Sequence, residues 1–547
     1  MADDEIADTP LFKSKLGLVL ACMGSVVGTG NIWRYPRIVA NNSGDEGGLV
    51  FLILWAIGLW VWSIPIILIE YAVGRYTRKT VITSFKALMG PWCQWMGGWI
   101  TCVMLLIGGY YSVVLGWCFY FFYYSIAHPL PENYEDSYAR WDKLHDTNYP
   151  LLCHFIACFL GFLCIVRGVK TVELANKIIV PILLLLVMFS LAWSLSLPYA
   201  YEAITYLFSP DWDVLKTSQV WVDAVTQNAW DTGAAGGLFL TYATYMRRHD
   251  GVVSMGTLTP LANNFVSLCC GITIFCNVFS VLEMEGRDRD YVVSILKDNG
   301  PANTGLTFIW MPLLYQSISV GRFLAVLFFL SLSFAGLSSL IAMYEFMACT
   351  LENMGLPRLL SAFVVFIALF LIGLPSSLNL DILVNQDSVW GFALIVSGLM
   401  LITLVLYYGA DKFRTVLVND YGLSDWKLRK IWSIVIWFVS PIVGAALIIW
   451  WIVSTVKDDP RWYYLENESL IFTLYEWAAL LIVVLAANTI YQVFIAKPKV
   501  TLDTIQDGSV EVGKSSKTKT ATDEEYLVTR KLVAESNSSA NEETSSL

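Results

Sequence analysis

The chain has 547 residues, of which 56% are hydrophobic and only 15% charged, with a formal net charge of −10. So few charges cannot clothe a large soluble fold, for which about a quarter is usual, and the acidic balance argues against nucleic acid as a partner. Apolar runs longer than the roughly 18 residues needed to cross a hydrocarbon core recur from end to end, so the composition is that of an all-α polytopic membrane protein.

The first residues, MADDEIADTP, are acidic and polar, so no cleavable signal peptide is expected and the first helix must itself start insertion. In chain order the apolar runs predict twelve spans, near 15–40, 48–76, 95–126, 150–168, 175–197, 219–247, 257–283, 321–352, 358–375, 380–409, 431–456 and 468–495. Arg75, Arg78, Lys79 and Lys86 follow span two, Arg167 and Lys170 span four, Arg247 and Arg248 span six, and Lys412, Arg414, Lys427, Arg429 and Lys430 span ten. The stretch 127–150 on the other side is acidic, with Glu132, Glu135, Asp136, Asp142 and Asp146. By the positive-inside rule both termini are predicted to be cytoplasmic, and the plasma membrane is the expected location.

From about residue 496 the chain turns polar and rich in Ser, Thr, Glu and Lys, which predicts a disordered tail. Gly508 to Ser515 match a phosphate-binding loop by letter only, because no buried strand precedes them and no helix follows. The terminal Ser545-Ser546-Leu547 suits capture by a PDZ-type domain through strand addition. Of the formal glycosylation sequons, Asn41 lies at a membrane edge and Asn467 in an outward loop. The 11 cysteines sit almost entirely within apolar runs and read as buried small hydrophobes, and the 4 histidines form no metal-ligand spacing.

Two spans break the rules of a membrane helix. Span one reads ACMGSVVGTGNIWRYP, with Gly24, Gly28, Gly30 and Asn31 at mid-depth; span six reads QNAWDTGAAGGLFLTY, with Asp231 and three glycines. Gly24 and Gly28 alone fit close helix packing, but Asn31, Arg34 and Asp231 are costly in a membrane unless unwound backbone lines a cavity. The breaks take matching places in two consecutive five-span blocks, the sign of an inverted-repeat transporter with a midplane site. The expected organisation is a cytoplasmic N-terminus 1–14, repeats 15–197 and 198–410, two further helices in 411–495, and a tail 496–547.

These segments, with IPIILIEYAVGRY, GGYYSVVLGW, LTYATYMRR, SFAGLSSLIA and YYGADK in order, resemble the neurotransmitter:sodium symporter family, which has the fold of the bacterial leucine transporter. The resemblance spans about 12–495 and implies twelve helices in a five-plus-five inverted repeat with helices one and six broken. It implies an Na⁺-coupled symporter, not an enzyme, using one or two Na⁺ ions. One ion site would use Gly24, Val27, Ala335, Ser338 and Ser339; the other would use Val26, Asn31, Asp231 and Asn263. Carbonyl, hydroxyl and amide oxygens are the hard ligands such a cation favours.

For the substrate, the resemblance implies an anchor for a carboxylate at Thr29, Gly30 and Tyr111, where amides at a half-helix N-terminus bind anions. The remaining wall would be Ser25, Gly28, Ile107, Trp230, Gly233, Gly236, Ser339 and Met343. Amine-carrying members have an aspartate where this chain has Gly28, so a neutral α-amino acid is the favoured cargo. Gly233 and Gly236 are expected to leave room for its side chain, with Trp230 and Met343 as apolar surface.

The chain departs from the family pattern at Asp231, where Ser or Thr is usual. The family's chloride-site positions fall on Trp55, Gln227, Asp231, Asn263 and Ser267. A fixed carboxylate there disfavours a mobile anion, so chloride is not expected. Asp231 then acts as counter-charge to Na⁺; it also suits a substrate-amine contact, a proton carrier, or a cap on the half-helix 233–247. Arg34 with Asp387, or Asn385 by a shift in register, forms the expected outer gate. The family's cytoplasmic ion pair falls on Thr9 and Asn353, which leaves Phe12, Tyr245 and packing for the inner gate. Proton-coupled and amine-carrying relatives of the same fold are the alternatives, as is a sensor or chaperone that does not transport.

Overall fold

The structure, a computed structural model, describes residues 10–298 and 300–496. The tail and its terminal tripeptide, Thr9 and most of the N-terminal segment lie outside the described residues. Among the described residues there is no β-strand, as expected where every backbone amide in lipid must be satisfied within its own segment.

The first stretch is two helices, α1 (Lys15–Val26) and α2 (Thr29–Asn41), which meet at a 45° bend. Ser14 starts α1 by accepting the Gly17 amide at 3.0 Å, a side-chain cap for one of the free first-turn donors. Glu173 ties this end down, accepting from Lys13 N at 2.8 Å and Ser14 Oγ at 2.9 Å. The chain continues through α3 (Leu49–Thr77), α4 (Pro91–Ala127), α5 (Tyr149–Ile165) and α6 (Val169–Leu195). The acidic stretch after α4 is not plain loop: Asn133 caps a helix, Tyr134–His145, whose buried Trp141 packs edge-on against Trp117 of α4.

The second broken stretch comprises α7 (Gln219–Asp231) and α8 (Leu238–Thr244). Then follow α9 (Val252–Met284), α10 (Gly321–Asn353), α11 (Arg358–Leu378), α12 (Leu380–Tyr408), α13 (Lys430–Lys457) and α14 (Leu470–Ile495). Nine helices among the described residues are long and apolar enough to span a membrane, and counting the bent pairs raises this to eleven. The expected twelfth is the α7–α8 stretch. Its arms have 13 and 7 residues and are separated by residues 232–237, so neither arm spans alone.

Burial separates a centre from a periphery. The apolar windows of α9 and α4 are 83% and 78% buried, those of α6 and α14 only 28% and 17%. Exposed Leu185 on α6, Ile442 on α13 and Ile482 on α14 face outward, as suits helices whose surroundings are hydrocarbon rather than water. The two broken stretches lie inside this ring: nearly every residue from Ala21 to Val27 and from Gln227 to Leu238 is buried.

Candidate functional site

At the first break Gly28 is extended, with φ −109° and ψ −174°. A Cβ there would lie 2.8 Å from Ser339 Oγ and 3.0 Å from Tyr111 Oη, so any side chain would have to displace a hydroxyl of α10 or α4. At the second break the backbone is left-handed at Gly233, Ala235 and Gly237, with φ of 63°, 72° and 77°. Ala235 pays no such conformation lightly, since a Cβ disfavours φ above zero. Its amide donates to Glu70 Oε1 at 2.7 Å. Glu70, fully buried on α3, lies with its carboxylate against the first amides of α8.

A hydrogen-bonded chain joins the breaks. Gly28 N donates to Asn31 Oδ1 at 2.7 Å, and Asn31 Nδ2 donates to Asn263 Oδ1 at 2.8 Å and Ser267 Oγ at 2.7 Å. Ser267 Oγ donates to Asp231 Oδ2 at 2.8 Å. The other carboxylate oxygen, Oδ1, is buried without a hydrogen bond of ordinary geometry, with the Gln227 amide alongside. It lies near the start of α2: a Cβ at Gly30 would sit 3.6 Å from it. A helix N-terminus favours negative charge, and at the start of α8 it is Glu70 that accepts the Ala235 amide. The Trp55 indole N–H also makes no hydrogen bond.

Between the breaks is a cavity of about 60 Å³. Nine of the eleven expected substrate positions line it: Ser25, Gly28, Gly30, Ile107, Tyr111, Trp230, Gly233, Ser339 and Met343, with Val26, Asn31 and Asp231 beside them. Two positions do not. Thr29 turns to α4, its N and Oγ1 each donating to Tyr111 Oη at 3.3 Å. Gly236 offers no space, because a Cβ there would meet Met104 Cε at 2.4 Å. Met104, Leu238 and Leu394 complete the wall.

The positions of the other expected cation site converge on α1 and α10. Ser339 Oγ donates to Gly24 O at 3.3 Å and Ser338 Oγ to Ala335 O at 3.0 Å. A Cβ at Gly24 would lie 3.1 Å from Ser338 Cβ, and Val27 is fully buried. The donor set is neutral oxygen throughout, which fits a hard monovalent cation; no group of three or more His, Cys, Asp or Glu able to hold a metal occurs among the described residues.

Above the cavity Trp230 is stacked on Tyr110, with ring centroids 6.4 Å apart, and Arg34 lies 5.2 Å over its ring. Arg34 approaches Asp387 to 4.0 Å, and Tyr110 Oη donates to Asp387 at 3.1 Å. Asn385 is turned elsewhere, to Glu476 and to the Glu468 amide, so the register favours Asp387. At the opposite end Phe12 N donates to Tyr245 O at 3.3 Å, and the two rings are edge-on. Asn353 bonds back to Cys349 O within its own helix.

Packing is not all that holds that end. Tyr245 Oη donates to Glu345 at 2.6 Å, and the Arg358 guanidinium grips the same buried carboxylate and Glu352. Glu345 and Glu70 had the signal that singled out Asp231, a carboxylate in an apolar run. Met104 and Tyr110 had none, because a methionine or tyrosine in a span reads as core.

Two helices broken at matching places around one buried cavity define a membrane carrier of the inverted-repeat class. The family model described as the sodium:neurotransmitter symporter family matches residues 9–147 and 142–497, and the chain belongs to that family. It is 28% identical over 456 residues to an uncharacterized sodium-dependent transporter of Methanocaldococcus jannaschii, covering 80% of this chain and 89% of that one. It is 30% identical over 302 residues to the sodium-dependent neutral amino acid transporter B(0)AT3 of Rattus norvegicus, covering 49% and 48% respectively. The Drosophila melanogaster sodium-dependent serotonin transporter is 25% identical over 506 residues, 83% of this chain and 78% of its own. The crystal structure of MhsT in complex with L-phenylalanine shares the fold, with a TM-score of 0.67 at 24% identity over 80% of this chain and 99% of that one.

Proposed function

We propose that this protein is a chloride-independent, Na⁺-coupled symporter of a neutral α-amino acid. The observation that carries the reading is the free Oδ1 of Asp231 on the cavity wall. Asn31 and Asn263 spend their carbonyl oxygens on protein donors, which leaves this carboxylate as the available charged ligand. At an effective dielectric near 20, two unit charges about 4 Å apart interact by about 4 kcal/mol. That attraction draws a cation to Asp231, Val26, Asn31 and Asn263, and the same magnitude as repulsion keeps chloride away.

A second Na⁺ is assigned to Gly24, Val27, Ala335, Ser338 and Ser339. Tyr111 and the amide at Gly30 receive the substrate carboxylate, and the close approach of Ser339 and Tyr111 to Gly28 supports a cargo that brings its own. Arg34 and Asp387 close the outer path; Phe12 and Tyr245, with Glu345 and Arg358, close the inner one. The ions favour the outward-open state, and occupancy of both sites with substrate permits inward opening. Both termini are assigned to the cytoplasm and the carrier to the plasma membrane.

Proteoliposomes with an inward Na⁺ gradient test this. Uptake of a neutral amino acid should persist when chloride is replaced by gluconate, and its collapse would remove the chloride claim. Asp231→Asn should raise the Na⁺ concentration for half-maximal uptake at least about tenfold, equivalent to about 1.4 kcal/mol. Uptake driven by a pH gradient without Na⁺ would favour proton carriage, and no uptake of any amino acid would favour the sensor role. Because Asp231 also lines the cavity, an amine contact is the second reading; a monoamine that outcompetes every amino acid would select it.

A further inference from the structure

From the sequence, Gly233 and Gly236 both read as space for a substrate side chain, and the structure separates them. A Cβ at Gly233 would meet nothing nearer than Val26 Cγ1 at 3.9 Å, whereas one at Gly236 would lie 2.4 Å from the terminal carbon of Met104. The niche beside Gly236 is therefore filled from another helix. Met104 is buried and lines the cavity. It stands on the face of α4 that also carries Ile107 and Tyr111, three and seven residues further on, a spacing that puts all three in one stripe. At 1.5 Å rise per residue, Met104 lies about 10 Å along the helix from Tyr111. If Tyr111 marks the carboxylate end of the substrate, Met104 marks the side-chain end.

We infer that Met104 is a specificity-determining residue whose thioether closes the side-chain end of the pocket and limits the length of the amino acid carried. The inference rests on the neutral-amino-acid reading above. A cavity of about 60 Å³ is well under the roughly 150 Å³ that takes up a benzene ring, so it does not hold the side chain of phenylalanine. Longer side chains enter only by displacing the Met104 methyl. Methionine is suited to this, being unbranched, with several rotatable bonds and a polarizable sulfur that tolerates aromatic neighbours. Gly236 is the other half of the device, because it provides the niche in which the methyl rests.

The test compares phenylalanine with alanine as the ratio of kcat/KM for Na⁺-driven uptake in proteoliposomes. Met104→Ala should raise the ratio about tenfold or more, the scale of discrimination that one or two methylenes in an apolar pocket supply. Gly236→Ala should lower it by pushing the thioether into the cavity, and the double variant should return toward the wild-type ratio because the two sites share one space. Met104→Leu, with as many heavy atoms but a reach one atom shorter, should give a smaller rise and serves if the alanine variant fails to fold. Single variants that leave the ratio within about twofold, or that move it in the same direction, overturn the inference while the transport reading stands. A wild type that carries no amino acid on a Na⁺ gradient removes both.

Discussion

The two interruptions of the helical bundle solve one problem by different means. Between α1 and α2 the break is short, neutral and glycine-centred, and it is held by packing: Ser339 and Tyr111 occupy the place a side chain at 28 would need. Between α7 and α8 six residues are unwound, and a non-glycine residue, Ala235, is left-handed. Here buried carboxylates do the holding, Glu70 at the start of α8 and Glu345 just beyond its end through Tyr245. Packing suffices where the backbone deviates for two residues. Where it deviates for six, its free amides need acceptors, since each buried amide left without one costs about 1–3 kcal/mol.

The comparison predicts an order of effects. The largest is at the second break. Glu70→Ala removes the acceptor of the Ala235 amide and should cost on the order of 3 kcal/mol, seen as a large fall in the thermal midpoint of the purified protein and loss of uptake. Glu70→Gln keeps an acceptor oxygen and should fall in between. A small effect of Glu70→Ala would mean that the second break, like the first, is held by packing.

Next is Gly28→Ala. Its Cβ would have to displace Ser339 Oγ or Tyr111 Oη, a case of overpacking that costs about 1–3 kcal/mol. Uptake should suffer more than stability, because the same atoms border the cavity. Gly28→Ala with unaltered substrate affinity would show that the glycine serves the bend alone. The smallest effect is at the Arg34–Asp387 pair, whose side chains are 16% and 18% exposed and 4.0 Å apart. Asp387→Asn should change the thermal midpoint by less than the equivalent of about 1 kcal/mol. Cysteine accessibility near Trp230 should rise, since the aromatic lid loses one of the groups that hold Arg34 over it.

Much of this architecture was legible in the residues. Clustered glycines beside Asn31, Arg34 and Asp231 in otherwise apolar runs disclosed both breaks, because polar groups at membrane depth require a cavity or a partner. Nine of the eleven positions expected through the resemblance line one cavity. Gly236 was misread because its local sequence shows only a missing side chain; whether that space is empty depends on Met104, more than a hundred residues earlier. The helix Tyr134–His145 was passed over because its charges resemble a loop and only Trp141 and Leu144 among its buried residues are apolar. The sixth span was expected to be broken, and its two arms are indeed separated by residues 232–237.

The sequence by itself determined that the chain is a membrane bundle, where its helices break and which family it resembles, because hydrophobic length, glycine and misplaced charge act locally. Only the tertiary structure decided which neighbours answer each break. It paired Asp231 with Ser267, set Glu70 against Ala235, brought Arg358 to Glu345 and put Met104 into the hollow of Gly236. Those assignments join residues far apart in the chain, and they follow from the relative rotation and depth of packed helices, which no local pattern encodes.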